Sequence, residues 1–325
     1  MIPGTERTWV ERDGVRLRVH HAGNGPLVVL LHGFPELAYS WRHQFGPLVA
    51  AGYRVVAPDQ RGYGESSSPP DIEAFALEEL ARDVAAVIDH FGGGPAAVIG
   101  HDWGAPVAWH SALRFPGRIH AVGSLSVPHA ARAPAPPLEL MRNAAGPEFV
   151  HYVDYFQEPG LVEAEFEQNV RDSLLGFIWA ISGDAPRDER FKPIQRGKRF
   201  LDSLTVPAAP PLWLTDHDLE TYAAAFRHSG FRGGLNWYRN VNRNWEQAAD
   251  LADAVVAQPA LFVTGSRDPA RNPTAIHRLH EVVPDLRVSA VLEGCGHWTQ
   301  QERPEEVTQL LLEFLNAVCD ASRTM

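Results

Sequence analysis

Short, uninterrupted apolar runs recur along this chain, and they constrain its fold more than any other feature of the sequence. A strand that is buried on both faces of a parallel sheet has this pattern. Between the runs, apolar residues recur at helical spacing in segments such as 75–91 and 304–318. The alternation predicts an α/β fold with a doubly wound, mostly parallel sheet. The predicted strands are 27–31, 53–57, 96–99, 121–127, 260–263 and 288–292.

The alternation of strands and helices stops after Val127 and resumes near Ala260. The intervening stretch is rich in aromatic and charged residues. We therefore expect two halves of one core, residues 1–127 and 252–325, separated by an inserted subdomain over residues 128–251. A chain of 325 residues is long enough for a large core with such an insertion.

Charge and composition exclude several classes of function. The formal net charge is -11 and the sequence pI is about 5.7, whereas nucleic-acid binding requires clustered cations. Apolar runs are far shorter than the roughly 20 residues that cross a bilayer, and the first residues lack a signal-peptide pattern. The two cysteines, Cys295 and Cys319, form neither a disulfide framework nor a metal motif. We expect a cytoplasmic protein with no nucleic-acid partner and no membrane span; the oligomeric state stays open, with a homodimer as one alternative.

A strand-turn-helix motif with an aspartate between two glycines is the most informative stretch for function. It runs Val98-Ile99-Gly100-His101-Asp102-Trp103-Gly104. Small residues at a sharp turn are typical of a nucleophile elbow, which projects its central side chain above the sheet. Serine is usual there, but a carboxylate with a reference pKa of about 3.9 is already ionised and attacks carbon without a base. A helix N-cap is the alternative for an isolated Asp; the glycine spacing favours a nucleophile that forms an ester.

Hydrolysis of such an ester requires a base, and the expected chain order is nucleophile, acid, histidine. Asp268 follows the predicted strand 260–263, and His297 follows the next strand in a loop that contains two glycines. Because the carboxyl ends of parallel strands meet at one edge, both side chains are expected beside Asp102. His297 would take a proton from water, while Asp268 would fix its tautomer and stabilise the imidazolium. A solvated loop side chain is the alternative for His297 taken alone.

The first buried strand ends in a compact loop, His32-Gly33-Phe34-Pro35-Glu36. A small, rigid loop at this edge directs a main-chain amide at the reaction centre. The amides of Phe34 and Trp103 are therefore the predicted oxyanion hole, with an ordinary Gly-Pro turn as the alternative. The segment 59–66 has glycines without dinucleotide or P-loop spacing, and it is predicted to be a structural loop.

Together these motifs resemble the epoxide hydrolase branch of the α/β-hydrolase fold, and the resemblance runs through nearly the whole chain. The loop 32–35, the glycine-rich segment 62–66 and the nucleophile motif 100–104 each resemble a family motif. The resemblance implies that the insertion is a helical cap, or lid. It also implies an enzyme that adds water to an epoxide to give a vicinal diol, in detoxification or in the metabolism of lipid epoxides.

Two cap segments, 151–160 and 236–240, resemble the surroundings of the family's paired tyrosines and match at Tyr152 and Tyr238. The resemblance implies that these phenols hydrogen-bond the epoxide oxygen. This fits the chemistry, because ring opening creates an alkoxide and a phenol with a reference pKa near 10 stays protonated to donate to it. Packing in the core or at an interface is the alternative role for Tyr152 and Tyr238. For Tyr155, a third tyrosine in this region, packing is the favoured role.

Aromatic residues are the predicted walls of the substrate site, and the expected partners are a small lipophilic epoxide and water. The predicted substrate-binding side chains are Phe34, Trp103, Trp237 and Trp298. Other cap aromatics fit a lipophilic pocket and simple core packing equally well. These are Phe149, Phe156, Phe177, Trp179 and Trp213, together with Trp237. No metal-ligand constellation or cofactor motif is found, so neither a metal nor an organic cofactor is expected.

A haloalkane or haloacid dehalogenase is the nearest alternative function, because such enzymes share the Asp nucleophile, the ester and the histidine. They must stabilise a halide, for which the Trp103 indole is suited, but the second donor position falls on the apolar side chain of Phe34. A serine esterase is disfavoured by Asp102 at the elbow. The alternative from another class is a noncatalytic small-molecule receptor on the same fold, in which a triad residue would be missing.

Overall fold

The core of the protein is one eight-stranded sheet. A computed structural model describes residues 2–323 of the chain, with side chains described for residues 2–319. The strands of this part of the chain are β1 (Glu6–Arg12), β2 (Val15–Ala22), β3 (Leu27–Leu31), β4 (Arg54–Asp59), β5 (Ala96–His101), β6 (Ile119–Leu125), β7 (Phe149–Val150), β8 (Ile194–Gln195), β9 (Ala260–Gly265) and β10 (Leu286–Leu292). The sheet order is β1-β2-β4-β3-β5-β6-β9-β10. All neighbours from β4 to β10 are parallel, which confirms the predicted doubly wound sheet.

Helices cover the sheet and fill the segment between β6 and β9. They are α1 (Arg42–Ala50), α2 (Leu77–His90), α3 (Gly104–Arg114), α4 (Pro137–Ala145), α5 (Tyr152–Tyr155), α6 (Leu161–Phe166), α7 (Val170–Ala180), α8 (Asp216–Ser229), α9 (Arg232–Arg239), α10 (Val241–Gln247), α11 (Pro273–Val282), α12 (Thr299–Glu302) and α13 (Pro304–Arg323). Short 3-10 helices occupy Ala38–Trp41, Ile72–Phe75, Leu201–Ser203 and Ala249–Leu251. Within residues 2–323, no helix has both the length and the apolar character needed to cross a membrane.

The central strands end side by side, and this positions the site. Every residue of β3, β5 and β9 is buried, as the continuous apolar runs predict for strands covered on both faces. Leu31 pairs with Gly100 at the ends of β3 and β5, and Leu292 pairs with Gly265 at the ends of β10 and β9. The loops that follow these strands therefore emerge at one edge of the sheet.

The hairpin of β1 and β2 was not among the predicted strands. Its two strands pair antiparallel with each other, and β2 also pairs antiparallel with β4. The hairpin therefore lies at the edge of the parallel part of the sheet. In β2 the apolar residues Val15, Leu17 and Val19 are buried, while Arg16 is exposed and Arg18 is half-buried. A half-exposed strand alternates in this way, and it lacks the continuous apolar run on which the strand prediction depended.

The segment between β6 and β9 forms a separate helical layer over the sheet edge. It contains α4 to α10 and a two-stranded antiparallel ribbon of β7 and β8. Its contacts with the core include two buried indoles. Trp237 Nε1 donates to the main-chain oxygen of Arg61 at 3.1 Å, and core Trp298 Nε1 donates to the main-chain oxygen of Ile178 at 2.8 Å.

Candidate active site

Asp102 lies in the tight turn between β5 and α3. Its φ is +50°, in the left-handed region that non-glycine residues rarely occupy. The neighbouring glycines are required by close backbone packing. A Cβ on Gly100 would lie 2.0 Å from the main-chain oxygen of Gly104, and a Cβ on Gly104 would lie 2.3 Å from that of Leu31. The backbone geometry is that of a nucleophile elbow with an aspartate at its tip.

The two carboxylate oxygens of Asp102 have different partners. The amide of Phe34 donates to Oδ1 at 2.7 Å, and Nε2 of His297 lies 3.2 Å from Oδ2. Gly33 permits this approach, because a Cβ there would lie 2.2 Å from Oδ1. Burial acts to raise the pKa of Asp102, but the hydrogen bond and charge of His297 outweigh it and hold that pKa below its usual value. The carboxylate is thus ionised and held by the first loop.

His297 lies between two carboxylates. Its Nδ1 is 3.0 Å from Oδ1 of Asp268, which is itself fully buried, and its Nε2 faces Asp102. Burial lowers the pKa of His297, but the charge of Asp268 and the hydrogen bond to Asp102 more than reverse this and raise it well above its usual value. The position of the ring between two carboxylates therefore stabilises its imidazolium form.

A cavity of about 430 Å³ opens above Asp102, between the core and the helical layer. Most of its wall is apolar, and its polar groups gather at the inner end. Its lining residues are Phe34, Asp102, Ala144, Ala145, Phe149, Val150, His151, Tyr152, Phe177, Ile181, Phe191, Pro193, Tyr238, Pro269, Ala270 and His297. An apolar chamber with a few convergent polar groups is typical of a small-molecule site.

Tyr152 and Tyr238 enter this cavity from different helices of the helical layer. Tyr152 begins α5, Tyr238 lies near the end of α9, and their ring centroids are 6.0 Å apart. Burial is the main cause that raises the pKa of each phenol above 10.0, and the nearby charge of Asp102 raises it further. Both rings therefore keep their hydroxyl protons and are available as donors.

Comparison with known proteins identifies the family. A sequence profile described as alpha/beta hydrolase fold matches residues 26–163. Epoxide hydrolase A of Mycobacterium tuberculosis is 44% identical over 317 residues, which cover 97% of this chain and 98% of that protein. The chain belongs to the epoxide hydrolase family. The solved epoxide hydrolase from an endophytic Streptomyces has a TM-score of 0.95 at 41% identity, over 98% of this chain and 97% of that chain. For epoxide hydrolase A from Mycobacterium thermoresistibile the TM-score is 0.90 at 45% identity, over 96% and 98%.

In this epoxide hydrolase most of the predicted site residues lie in the cavity wall or directly next to it. Asp102, His297, Tyr152, Tyr238 and Phe34 line one cavity. Asp268 lies behind His297. The Trp103 amide follows Asp102 directly, and its ring packs edge-on against Tyr238 with centroids 5.1 Å apart.

Three of the four predicted substrate-binding residues, Trp103, Trp237 and Trp298, do not line the cavity. Trp237 is fully buried beneath it, where its ring packs against Tyr63 and Trp103 and its indole donates to Arg61. Trp298 is also buried, and its indole joins the His297 loop to α7. This geometry gives no support for the predicted direct contact of Trp237 and Trp298 with substrate. Both indoles instead satisfy buried carbonyls between the two layers, which the sequence pattern did not distinguish from pocket walls.

The cap aromatics divide between the two roles that the sequence left open. Phe149 and Phe177 line the cavity. Phe156 is fully buried and packs against Tyr238 with ring centroids 5.2 Å apart, so it supports a lining residue from behind. The Trp179 indole donates to Glu189 at 2.7 Å. Neither Trp179 nor Trp213 belongs to the cavity lining.

A buried pair that the sequence analysis missed supports the His297 loop. Glu36 Oε2 lies 2.6 Å from Nδ1 of His101, and His101 Nε2 lies 2.8 Å from the main-chain oxygen of His297. Burial raises the pKa of Glu36, but the charge and hydrogen bond of His101 hold it below its usual value. His101 thus lies between an ionised carboxylate and a carbonyl, and these two contacts fix its ring against the His297 loop. Both residues lie inside the quoted motifs, but only their burial beside His297 identifies them.

Glu302 is a second buried carboxylate that the sequence analysis missed. Its Oε2 accepts from the amides of Gly296 at 2.7 Å and Gly183 at 3.0 Å, and its Oε1 accepts from the amide of Trp298 at 3.2 Å. Burial raises its pKa, although the three amides act to lower it. Glu302 therefore holds the main chain on both sides of His297, through Gly296 and Trp298, and joins that loop to Gly183 in the helical layer.

Proposed function

We propose that this chain hydrolyses an epoxide to a vicinal diol in two steps, through an ester on Asp102. The observation that carries the proposal is the arrangement inside one cavity. The carboxylate of Asp102 has an imidazolium on one side and a main-chain amide on the other, and it shares the chamber with two protonated phenols, Tyr152 and Tyr238. The family relatives, named as epoxide hydrolases, support the same reaction.

In the first step, Oδ2 of Asp102 attacks a ring carbon. Oδ1 stays as the carbonyl oxygen of the ester, because the Phe34 amide already donates to it. The carbon-oxygen bond of the ring breaks, and its electron pair moves to the epoxide oxygen. Tyr152 and Tyr238 hydrogen-bond that oxygen, and one phenol gives it a proton. The phenols stabilise charge that develops only on the way to the product, which is how donors accelerate a reaction.

Ester formation changes the state of His297. The free enzyme holds the ring as an imidazolium between Asp102 and Asp268. The ester is neutral, so one of the two charges that raise the pKa of His297 disappears. His297 then releases its proton, which replaces through solvent the proton that the phenol gave up. Alkylation of Asp102 therefore converts His297 into the base that the second step needs.

In the second step, His297 takes a proton from water and the water oxygen attacks Cγ of Asp102. The electron pair of the ester carbonyl moves to Oδ1, where the amides of Phe34 and Trp103 form the oxyanion hole. Collapse of this intermediate expels the diol oxygen, which takes the proton from His297. Asp102 is left as a carboxylic acid, and it returns its proton to His297. Asp268 holds the ring in one tautomer throughout.

The cavity supports a small, lipophilic epoxide as substrate. Its volume of about 430 Å³ and its mostly apolar wall fit an aryl or alkyl epoxide. Phenols at the inner end, and the apolar ring of Phe34 packed against Tyr238 at 5.4 Å, suit an alkoxide better than a halide. We also propose residues 128–251 as the cap that closes this chamber, between the core segments 1–127 and 252–325.

Trapping the ester tests the proposal. His297→Gln removes the base of the second step but leaves Asp102 free to attack. We expect intact-protein mass spectrometry after addition of styrene oxide to show a mass increase equal to one epoxide. Peptide mapping should place the adduct on Asp102. Asp102→Asn is the matched control, and it should gain no mass. Absence of an adduct in His297→Gln with both aryl and alkyl epoxides would refute the mechanism.

A further inference from the structure

A basic strip crosses the helical layer beside the cavity. Residues 190–199 contain five basic residues and no acidic residue, in a chain that has 40 acidic and 29 basic residues. The strip holds Lys192 and Lys198, the only lysines of the whole sequence. Both lysines are exposed, and among the described residues neither has an ion pair. A concentration of uncompensated cations on an acidic protein indicates attraction to an anionic partner.

The strip is part of the cavity wall. Phe191 and Pro193, on either side of Lys192, line the cavity. Gln195 pairs with Phe149 in the ribbon of β7 and β8, and Arg196 donates to the main-chain oxygen of Phe149 at 3.3 Å. The cations are therefore fixed beside the lining strand.

Large apolar side chains are exposed at the same place. Phe149 is 36% exposed and Leu140 is 38% exposed. Leu140 lies one turn from Ala144 on α4, on the same face, and Ala144 is an exposed lining residue of the cavity. Apolar residues next to cations form the kind of surface that rests on a lipid interface, with its apolar part among the acyl chains and its cations at the phosphates.

We propose that this face docks reversibly on a bilayer that contains anionic phospholipids. Charge complementarity selects the anionic headgroups, since the strip is positive while the chain as a whole carries -11. The exposed Leu140 and Phe149 favour a bilayer over a dissolved anion, because a dissolved anion would leave them in water. The mouth of an apolar cavity then faces the bilayer, where lipophilic molecules concentrate, so a substrate enters without crossing bulk water.

Acidic groups lie around the strip, with Glu139 next to Leu140 on α4 among them, but none lies within residues 190–199. Arg199 pairs with Asp202 at 2.8 Å, and Glu189 accepts from the Trp179 indole. Glu148 is exposed next to Phe149, and Asp188 precedes the strip. Lys192, Arg196 and Lys198 keep exposed cations without an ion pair among the described residues, and these three determine the expected headgroup contacts.

Vesicle co-sedimentation of the purified full chain tests this inference. One set of vesicles contains phosphatidylcholine alone, and the other contains equal amounts of phosphatidylcholine and phosphatidylglycerol. We expect the chain to sediment with the anionic vesicles, to remain largely in solution with the neutral ones, and to be released as salt is raised, because screening weakens exposed charge pairs. The assay needs no turnover, so its failure leaves the proposed hydrolysis untouched, and failure of the ester trap leaves the docking result standing.

Matched variants decide whether this face is responsible. Lys192→Gln with Lys198→Gln should lower the partition coefficient on anionic vesicles by about fivefold for each lysine, and Leu140→Ser should lower it by about threefold. Arg82→Gln with Arg278→Gln removes the same charge from exposed core helices, and Val291→Ser alters an exposed apolar residue on β10, at the edge of the core sheet. These controls should bind like the parent. Circular dichroism should show every variant folded.

Two results would overturn the proposal, and a third measurement shows what the strip does if the first of them occurs. The parent could fail to sediment with anionic vesicles, or the lysine pair and its arginine control could weaken binding equally. In the third, the parent does not bind vesicles, but the lysine pair raises KM for an epoxide that carries a carboxylate and leaves KM for styrene oxide unchanged. The strip would then recognise an anionic group of the substrate instead of a lipid surface.

Discussion

Nε2 of His101 lies 2.8 Å from the main-chain oxygen of His297. The same oxygen accepts from Oγ of Ser126 at 2.7 Å. The position of the His297 loop thus depends on two side chains that do not line the cavity. Glu36 fixes the His101 side chain. Its Oε2 contacts His101, and its Oε1 accepts from the side-chain amides of Gln300 and Gln301.

Glu36→Gln should slow hydrolysis of the ester more than ring opening. The substitution replaces the carboxylate that holds His101 with an amide, so the contact between His101 and the His297 loop is weakened. A displacement of about 1 Å at a reacting group costs about a hundredfold in rate. Single-turnover quench experiments should show the ester accumulating. The exposed Glu65→Gln is the control; equal rates for Glu36→Gln and Glu65→Gln would remove Glu36 from the mechanism.

Removal of the cavity phenols should block ring opening. Tyr152→Phe and Tyr238→Phe should each lower the rate of alkylation about a hundredfold, and the double variant should show none, because general acid catalysis is typically worth about 10² to 10⁴. Tyr155→Phe is the matched control, since its hydroxyl donates to Glu165 and it does not line the cavity. Rapid-quench mass spectrometry measures the adduct on Asp102. Full alkylation by the double variant would contradict the proposed roles.

The two steps should respond differently to pH. Ring opening needs ionised Asp102, whose pKa lies below 3.8, and protonated phenols, whose pKa lies above 10.0. Its rate should therefore stay constant from about pH 5 to about pH 10. Ester hydrolysis needs neutral His297, so its rate should fall as pH decreases through the pKa of that ring in the ester. Single-turnover rates across pH check this; an acid limb in ring opening over the same range would contradict it.

Glu302→Gln should destabilise the fold. The carboxylate accepts from three buried amides, and a glutamine has only one oxygen, so its NH₂ group would face at least one amide donor. Loss of hydrogen bonds to a buried charge predicts a decrease of about 2 to 3 kcal/mol in the free energy of unfolding. Urea denaturation measures it. Glu306→Gln, at an exposed site in the first turn of α13, should change little, and similar midpoints for both variants would contradict this assignment.

The parallel core could be predicted because its information is local. Each central strand is a continuous apolar run, and the observed strands β3, β5 and β9 begin at the predicted residues. The strands β1 and β2 could not be predicted in the same way, because their hairpin exposes one face and mixes arginine with valine. The pattern of a strand depends on how many of its faces are covered, and the fold determines that.

The elbow at Asp102 and the order of Asp268 and His297 along the chain were determined by the sequence itself, because glycine spacing and strand ends are local features. Only the tertiary structure decided which aromatic side chains line the cavity, that Trp237 and Trp298 serve the joint between the layers, and that Glu36, His101 and Glu302 hold the His297 loop. Residues 36, 101 and 297 are far apart in the chain, and no periodicity encodes their contact. Packing of the two layers brings them together, because a buried carboxylate or indole is stable only where a partner from another segment satisfies it.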